Sequence, residues 1–292
     1  MPAPFLTTRQ GALHCSDAIE WMSSLETGQC RLLIADPPYN MHKAGWDRLG
    51  TPSQYLSWTL DWVTQARRLL TADGTMYLCG LPETLAEIAS CIRPMFFSVR
   101  FLVWFYRNKG NLGDDWGRAH EGILHLRMAR EMVFNTDAVR VPYNEHTTRY
   151  PEHPQATTSQ YGGARNSASS RAAWRPHPGG ARPRDVIEVP TLCNGNAEKT
   201  DHPTQKPVEL IRRLVLASSR PGDLVIDPFG GAGTTYAVCE QTGRRWLGCE
   251  READFCRLIA ERLAEPRRFT ARSAGETGQQ RARRRGRLRG AP

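Results

Sequence analysis

Short apolar runs alternate with stretches whose apolar residues recur every three or four positions, the rhythm of strands alternating with helices in an α/β sheet. The pattern predicts a short strand at 13–15, a helix over 17–25 and a compact apolar strand at 31–35. Thr51 is placed to cap the next helix, with Pro52 at its first position. Tyr55, Trp58, Trp62, Val63, Ala66 and Leu69 carry that helix towards the break at Asp73-Gly74. Strands are predicted at 75–79, 99–106 and 122–128, with a helix at 83–91. Then the rhythm stops. Residues 144–184 contain no Val, Leu, Ile, Met, Phe or Cys but six Arg, two acids and many Pro, Gly and Ser. Such a stretch cannot pack a core and predicts a long mobile loop. Beyond it come a strand at 185–189 and a helix at 207–219 with Ile211, Leu214, Val215 and Ser218 on one face. A strand at 224–226 closed by Asp227, a helix at 234–241 and a strand at 245–249 closed by Glu250 follow. The last predicted helix, 253–263, turns Cys256, Ile259, Ala260 and Leu263 inward.

Composition narrows the class. A chain of 292 residues with 40% hydrophobic content can build one large core or two small ones. The longest apolar stretch, 96–106, is broken by Ser98 and Arg100 and falls far short of the ~20 residues that span a bilayer. The first ten residues lack the basic flank and apolar run of a secretory signal, so membrane and secreted classes are set aside. The net charge of +9 is uneven: residues 266–292 hold nine Arg and one acid, leaving +1 for the rest. That Arg-rich tail reads as disordered, either a solvated end or a segment that docks on phosphates. The eight cysteines show no C-x-x-C spacing, which reads as reduced, buried thiols with no disulfide frame and no metal site.

Two turns carry candidate chemistry. Asp227-Pro228-Phe229-Gly230-Gly231-Ala232-Gly233-Thr234 joins a strand to a helix. Glycines there let the backbone approach a ligand, and the helix start offers unpaired N–H groups. Glu250, about 20 residues later, ends the next strand, where an acid can accept from both hydroxyls of a ribose. No Lys follows Gly233, so this is not a phosphate-binding P-loop, and Tyr236 stands where a dinucleotide fingerprint needs its third glycine. Asp227 would repel a pyrophosphate but hold an ammonium, which points to S-adenosylmethionine. The second turn, Asp36-Pro37-Pro38-Tyr39, follows the strand at 31–35. Its prolines forbid further strand pairing and rigidify the turn. A carboxylate, proline carbonyls and an aromatic face suit a planar ring with an exocyclic amino group; an ordinary strand-ending turn is the alternative.

With these turns in place the sequence resembles the β-group of amino-DNA methyltransferases. The segments carrying the likeness are "LLIADPPYN", "HPTQKPVELI" at 202–211, "VIDPFGGAGTT" at 225–235 and "RRWLGCE" at 244–250. The resemblance covers residues 12–130 and 185–265. Asp-Pro-Pro-Tyr precedes the glycine turn, the order of the DNA enzymes and the reverse of their RNA and protein counterparts. The resemblance implies an α/β fold, a Rossmann-like seven-stranded methyltransferase sheet with one reversed strand, circularly permuted motif order and a loop-rich target-recognition insertion. It implies catalytic roles for Asp36, Pro37, Pro38 and Tyr39. It gives S-adenosylmethionine contacts to Asp17, His202, Thr204, Lys206, Asp227, Pro228, Phe229, Gly230, Gly231, Ala232, Gly233, Thr234 and Glu250, with Thr204 and Lys206 reaching the cofactor carboxylate. "AHEGILHLR" at 119–127 is similar to a sheet segment of the family, and Glu121 and His125 are expected to do no more than pack there.

The implied organisation is a catalytic half at 1–129, a target-recognition region at 130–195 containing the 144–184 loop, a cofactor-binding half at 196–265, and the tail at 266–292. The implied reaction is methylation of adenine N6 in duplex DNA, with cytosine N4 as the alternative. An RNA substrate or an inactive DNA-binding homologue ranks below both. Carbon-5 methylation of cytosine is disfavoured, because no cysteine follows a proline. A homodimer and a cognate restriction endonuclease are candidate partners. The implied setting is the cytoplasm of a bacterial host, whether nucleoid-associated or phage-encoded.

Overall fold

The computed structural model describes residues 3–108, 114, 116–151, 175–194 and 196–265. The chain opens with β1 (Leu6–Thr7), β2 (Gly11–Cys15), α1 (Ala18–Ser23) and β3 (Cys30–Ala35). Next come α2 (Pro52–Leu69), β4 (Leu70–Gly80), α3 (Pro82–Ile92), β5 (Ser98–Phe105) and β6 (His120–Arg127). After α4 (Glu145–Arg149) and β7 (Val186–Glu188) follow α5 (Val208–Ser218), β8 (Leu224–Asp227), α6 (Thr234–Thr242), β9 (Arg245–Glu250) and α7 (Ala253–Ala264).

All nine strands form one sheet in the order β1-β2-β9-β8-β3-β4-β6-β5-β7. From β2 to β4 the neighbours are parallel, and β6 runs against both β4 and β5. The stretch from β2 to β5 is therefore the expected seven-stranded Rossmann-like sheet with one reversed strand. Two short edge strands extend it: β1 antiparallel to β2, and β7 parallel to β5. The central neighbours β3 and β8 come from opposite ends of the chain, as the permuted motif order requires.

Local sequence explains these elements. Thr51 and Gln54 form a reciprocal capping box at the start of α2, with Pro52 behind it. Its buried Tyr55, Thr59, Trp62, Val63, Ala66 and Leu69 recur at helical spacing. β3 from Leu32 to Ala35 and β8 from Leu224 to Ile226 are covered on both faces, so these stretches read as apolar runs. Alternate β3 residues feed two cores. Leu33 and Ala35 pack with Trp21 of α1, Trp62 of α2 and Leu85 of α3. Leu32 and Ile34 pack with Leu214 of α5, Val238 of α6 and Ile259 of α7. Each large apolar side chain so buried contributes about 1.5–3 kcal/mol.

Three expectations shift. β4 begins at Leu70, and its register against β3 slips between Cys30 and Leu32, so Asp73-Gly74 lies within an irregular strand and does not precede it. In α7, Arg262 is buried while Ala260 and Leu263 are only half-buried. All eight cysteines are free, but Cys15, Cys91 and Cys193 are exposed.

The chain divides into two compact units, Met1–Phe134 with Asp185–Pro292, and Asn135–Arg184. In the second, Val141 bridges Ala181, Arg140 donates to Asp137 and to the Gly180 carbonyl, and the Tyr143 hydroxyl accepts from the His177 N–H. The middle of the expected loop, 152–174, and the tail, 266–292, lie outside the described residues. Among the described residues no helix is long and apolar enough to cross a membrane.

Candidate active site

β3 and β8 lie side by side, but α2 follows the first on one face of the sheet and α6 follows the second on the other. A crevice opens beyond strand ends where consecutive helices diverge in this way. The cavity found there is lined by the Asp36–Tyr39 turn, the glycine turn, Glu250 and the segment from His202 to Lys206.

The Asp36 turn is held from several directions. The Tyr55 hydroxyl of α2 donates to the Pro38 carbonyl at 2.9 Å. Asn40, at φ +57°, closes the following loop by accepting from Leu49 N–H and donating to the Gly50 carbonyl. The Tyr39 hydroxyl lies 2.9 Å from Asp36 Oδ1 and 3.0 Å from Glu121 Oε2, and donates to this pair of carboxylates. Burial and the two carboxylates push the Tyr39 phenol well above its ordinary range, so it stays a neutral donor. Lys206 Nζ sits 2.7 Å from Asp36 Oδ1 and 3.4 Å from Glu121 Oε2. Burial disfavours the Lys206 charge, but Asp36 and Glu121 outweigh it and hold the ammonium above the usual lysine range.

The glycine turn needs its glycines for conformation. Gly231 and Gly233 adopt φ of +51° and +69°, in the left-handed region. Gly230 N–H donates to the Cys249 carbonyl, which ties the turn to β9. Gly231 N–H donates to Glu250 Oε2 at 2.7 Å, and Glu252 N–H donates to Oε1 at 2.8 Å. Each Glu250 oxygen is thus aimed by one backbone donor and keeps further acceptor capacity. Burial raises the Glu250 carboxyl and pushes that of Asp227 up to about 8, against hydrogen bonds from Thr235 and the Phe229 N–H. Phe229 turns into the core beside Trp58 and Trp62. The Thr234 hydroxyl donates to the Lys206 carbonyl at 3.1 Å, joining this turn to the 202–206 segment.

His202 packs beside Gly231, edge-on to Phe255 and stacked on Trp46. Burial, then Lys206 and Lys199, lower it to about 4, so it is a neutral aromatic wall at physiological pH. Thr204 N–H donates to its Nδ1. Asp17 caps α1 by accepting from Ile19 and Glu20 N–H groups, and it also lines the cavity.

Of the residues expected at the site, all line this one cavity except Gly233, which caps α6 against Ile259. The Lys206 ammonium rests on Asp36 and Glu121. Glu121 does more than pack: its carboxylate enters the cavity. His125 packs as expected, stacked on Tyr77. Arg262 escaped the sequence reading; it donates to the Ala232 carbonyl at 2.7 Å and the Thr234 hydroxyl at 3.0 Å. Tyr236, noted only as a missing glycine, is fully buried and donates to the Asp227 carbonyl.

The lining carries seven carboxylic side chains against three cationic ones. Such a wall repels polyphosphates and suits a cationic ligand, so it fits a group bearing a sulfonium and an ammonium.

A family model described as DNA methylase matches residues 30–261. The Type II methyltransferase M1.MboII of Moraxella bovis is 31% identical over 251 residues, covering 83% of this chain and 92% of that protein. The DNA adenine methyltransferase YhdJ of Escherichia coli is 28% identical over 92% of this chain and 88% of its own length. Among solved structures, the cytosine-N4-specific PvuII DNA methyltransferase shares the fold with a TM-score of 0.65 at 16% identity, covering 98% of this chain and 94% of that one.

Proposed function

Because this chain belongs to the family of N6/N4 DNA methylases, we propose that it methylates the exocyclic N6 of an adenine flipped out of duplex DNA. DNA methylation with S-adenosylmethionine comes with the family; the base and the residue roles are inferred. The observation that carries the reading is the meeting of two turns in one acidic cavity. One ends β3 with Asp36, Pro37, Pro38 and Tyr39; the other ends β8 with Asp227 to Thr234.

S-adenosylmethionine, when bound, supplies an electrophilic methyl on its sulfonium. Glu250 would accept from the ribose hydroxyls with the lone pairs its backbone donors leave free. Asp227 would receive the ammonium, and Phe229, Gly230, Gly231 and Ala232 would let the methionine end lie close to the backbone. Asp17 would border the adenine end, His202 would wall the cofactor beside Gly231, and Thr204 would reach the cofactor carboxylate.

A base inside a duplex exposes no face to this cavity, so it must be extruded. Its amino nitrogen is a poor nucleophile, because the lone pair is delocalised into the ring. Asp36 and the Pro37 carbonyl accept the amino hydrogens, which favours a pyramidal nitrogen and stabilises positive charge as it develops there. Tyr39 stacks on the ring and fixes its angle of approach. Adenine is preferred because the turn begins with Asp; in the family resembled, Asp-Pro-Pro-Tyr is commoner with adenine and Ser-Pro-Pro-Tyr with cytosine N4. Target recognition is assigned to 130–195, between a catalytic half at 1–129 and a cofactor half at 196–265.

The test is mass spectrometry of nucleosides from methyl-free duplex DNA treated with the protein and S-adenosylmethionine. N6-methyladenine is expected. N4-methylcytosine would overturn the base, and a mark on RNA alone would overturn the substrate. Asp36→Ala should abolish transfer while calorimetry still registers cofactor binding; retained activity would refute the role of Asp36.

A further inference from the structure

Lys206 is nearly sequestered, at 7% exposure, between two carboxylates and two rings. Its Nζ lies 2.7 Å and 2.8 Å from the two Asp36 oxygens and 3.4 Å from Glu121 Oε2. It also lies 5.1 Å from the Tyr39 ring centroid and 5.8 Å from that of Trp104. Glu121 is the second residue of β6, and its cross-strand partner on β5 is Trp104. The Cys79 thiol nearby is kept neutral by burial, with Asp36 adding to the effect. The charge of the cluster is therefore set by Asp36, Glu121 and Lys206.

An ammonium straddling Asp36 opposes the reaction proposed above. Methyl transfer places positive charge on the base nitrogen, and a lysine bound to both Asp36 oxygens would cancel the carboxylate that should receive that charge. Charges at hydrogen-bond distance interact strongly in a site shielded from water, so the cancellation matters. Glu121 restores the balance, because two carboxylates and one ammonium leave the cluster at one net negative charge. We propose that Glu121 is a positioning residue for methyl transfer: it shares Lys206 with Asp36 and so leaves Asp36 negative towards the acceptor amino group. Glu121 acts through Lys206 and need not touch the base. The Tyr39 hydroxyl, within reach of both carboxylates, keeps the two at a fixed separation. This inference rests on the reading of Asp36 as acceptor of the amino hydrogens.

The experiment is single-turnover methylation of duplex DNA by the full chain, with cofactor affinity measured in parallel. Glu121→Gln keeps the shape and an acceptor for Tyr39 and Lys206 but removes the charge. Its rate should fall about 100-fold, the scale of losing one preorganised electrostatic group. Its affinity for S-adenosylmethionine should stay within about twofold, since this cluster faces the base. The double variant Glu121→Gln with Lys206→Met returns the cluster to one negative charge. It should recover at least about tenfold over Glu121→Gln, whereas a merely structural role predicts no recovery. Glu121→Asp, which keeps the charge, should lose less than about tenfold, and this comparison stands even if Glu121→Gln fails to fold. A wild-type rate in Glu121→Gln, a double variant no faster than it, or a Glu121→Asp rate as low as that of a folded Glu121→Gln would each overturn the inference. Wild-type protein that methylates neither base would instead overturn the proposed function, and this inference with it.

Discussion

Burial at Asp227 keeps a proton on its carboxyl in the ligand-free protein, against the hydrogen bonds from Thr235 and the Phe229 N–H that aim it. The carboxyl is raised from 3.8 to about 8, so the folded state retains a proton that the unfolded chain releases. The folded state then binds more protons between these values, and stability falls as pH rises through that window. Thermal melts of the ligand-free protein should show stability falling from about pH 6.5 to pH 8, above the range in which His125 and His202, lowered to about 4, act with the opposite sign, and Asp227→Asn should flatten it. An identical slope in the variant would remove Asp227 as its source. Residue chemistry of this kind was legible where one residue type at one place in a motif carries it. Asp36, Asp227 and Glu250 each end a strand, and each could be singled out without knowing the fold. Glu121 and Lys206 were not legible as a pair. Their meaning comes from each other, and they stand 85 positions apart in the chain.

The strand-to-helix turn between β8 and α6 shows what an element demands of its sequence. Gly233 caps α6 at φ +69°, and a Cβ placed there would meet Ile259 side-chain carbons at 3.0 Å. Gly233→Ala therefore combines left-handed strain of roughly 1–2 kcal/mol with displacement of a core side chain. Denaturant unfolding should show a loss of at least about 1 kcal/mol together with weaker cofactor binding. An unchanged midpoint would contradict the strain account. α7 shows the limit of periodicity. Its pattern turned Cys256, Ile259, Ala260 and Leu263 inward; Cys256 and Ile259 are buried, but Arg262 is buried where Ala260 and Leu263 are only half-buried. Periodicity ranks side chains by polarity alone. Burial of Arg262 is supported by the Ala232 carbonyl and the Thr234 hydroxyl, from a different element, which both accept from its Nη1. In β4 the polar Asp73-Gly74 pair read as a break; an irregular register lets the strand absorb it.

On the scale of the whole molecule, charge is divided between an acidic cavity and an Arg-rich tail. Nine arginines in 266–292 against one acid predict a phosphate contribution to DNA affinity. Each phosphate contact adds about 0.9 to the magnitude of the log affinity against log salt slope on duplex DNA. Deleting 266–292 should make that slope shallower, and an unchanged slope would deny the tail a phosphate role. The seven-strand class came with the family resemblance; the order of strands and helices, the two turns and the terminal acids were determined by the sequence itself. These are local properties, written in spacing, in proline and glycine geometry and in the polarity of neighbours. The meeting of β3 with β8, the entry of Glu121 and Lys206 beside Asp36, and the burial of Arg262 were decided by tertiary structure. They join residues far apart in the chain through sheet order and helix packing, and short-range patterning carries no record of which distant segments will become neighbours.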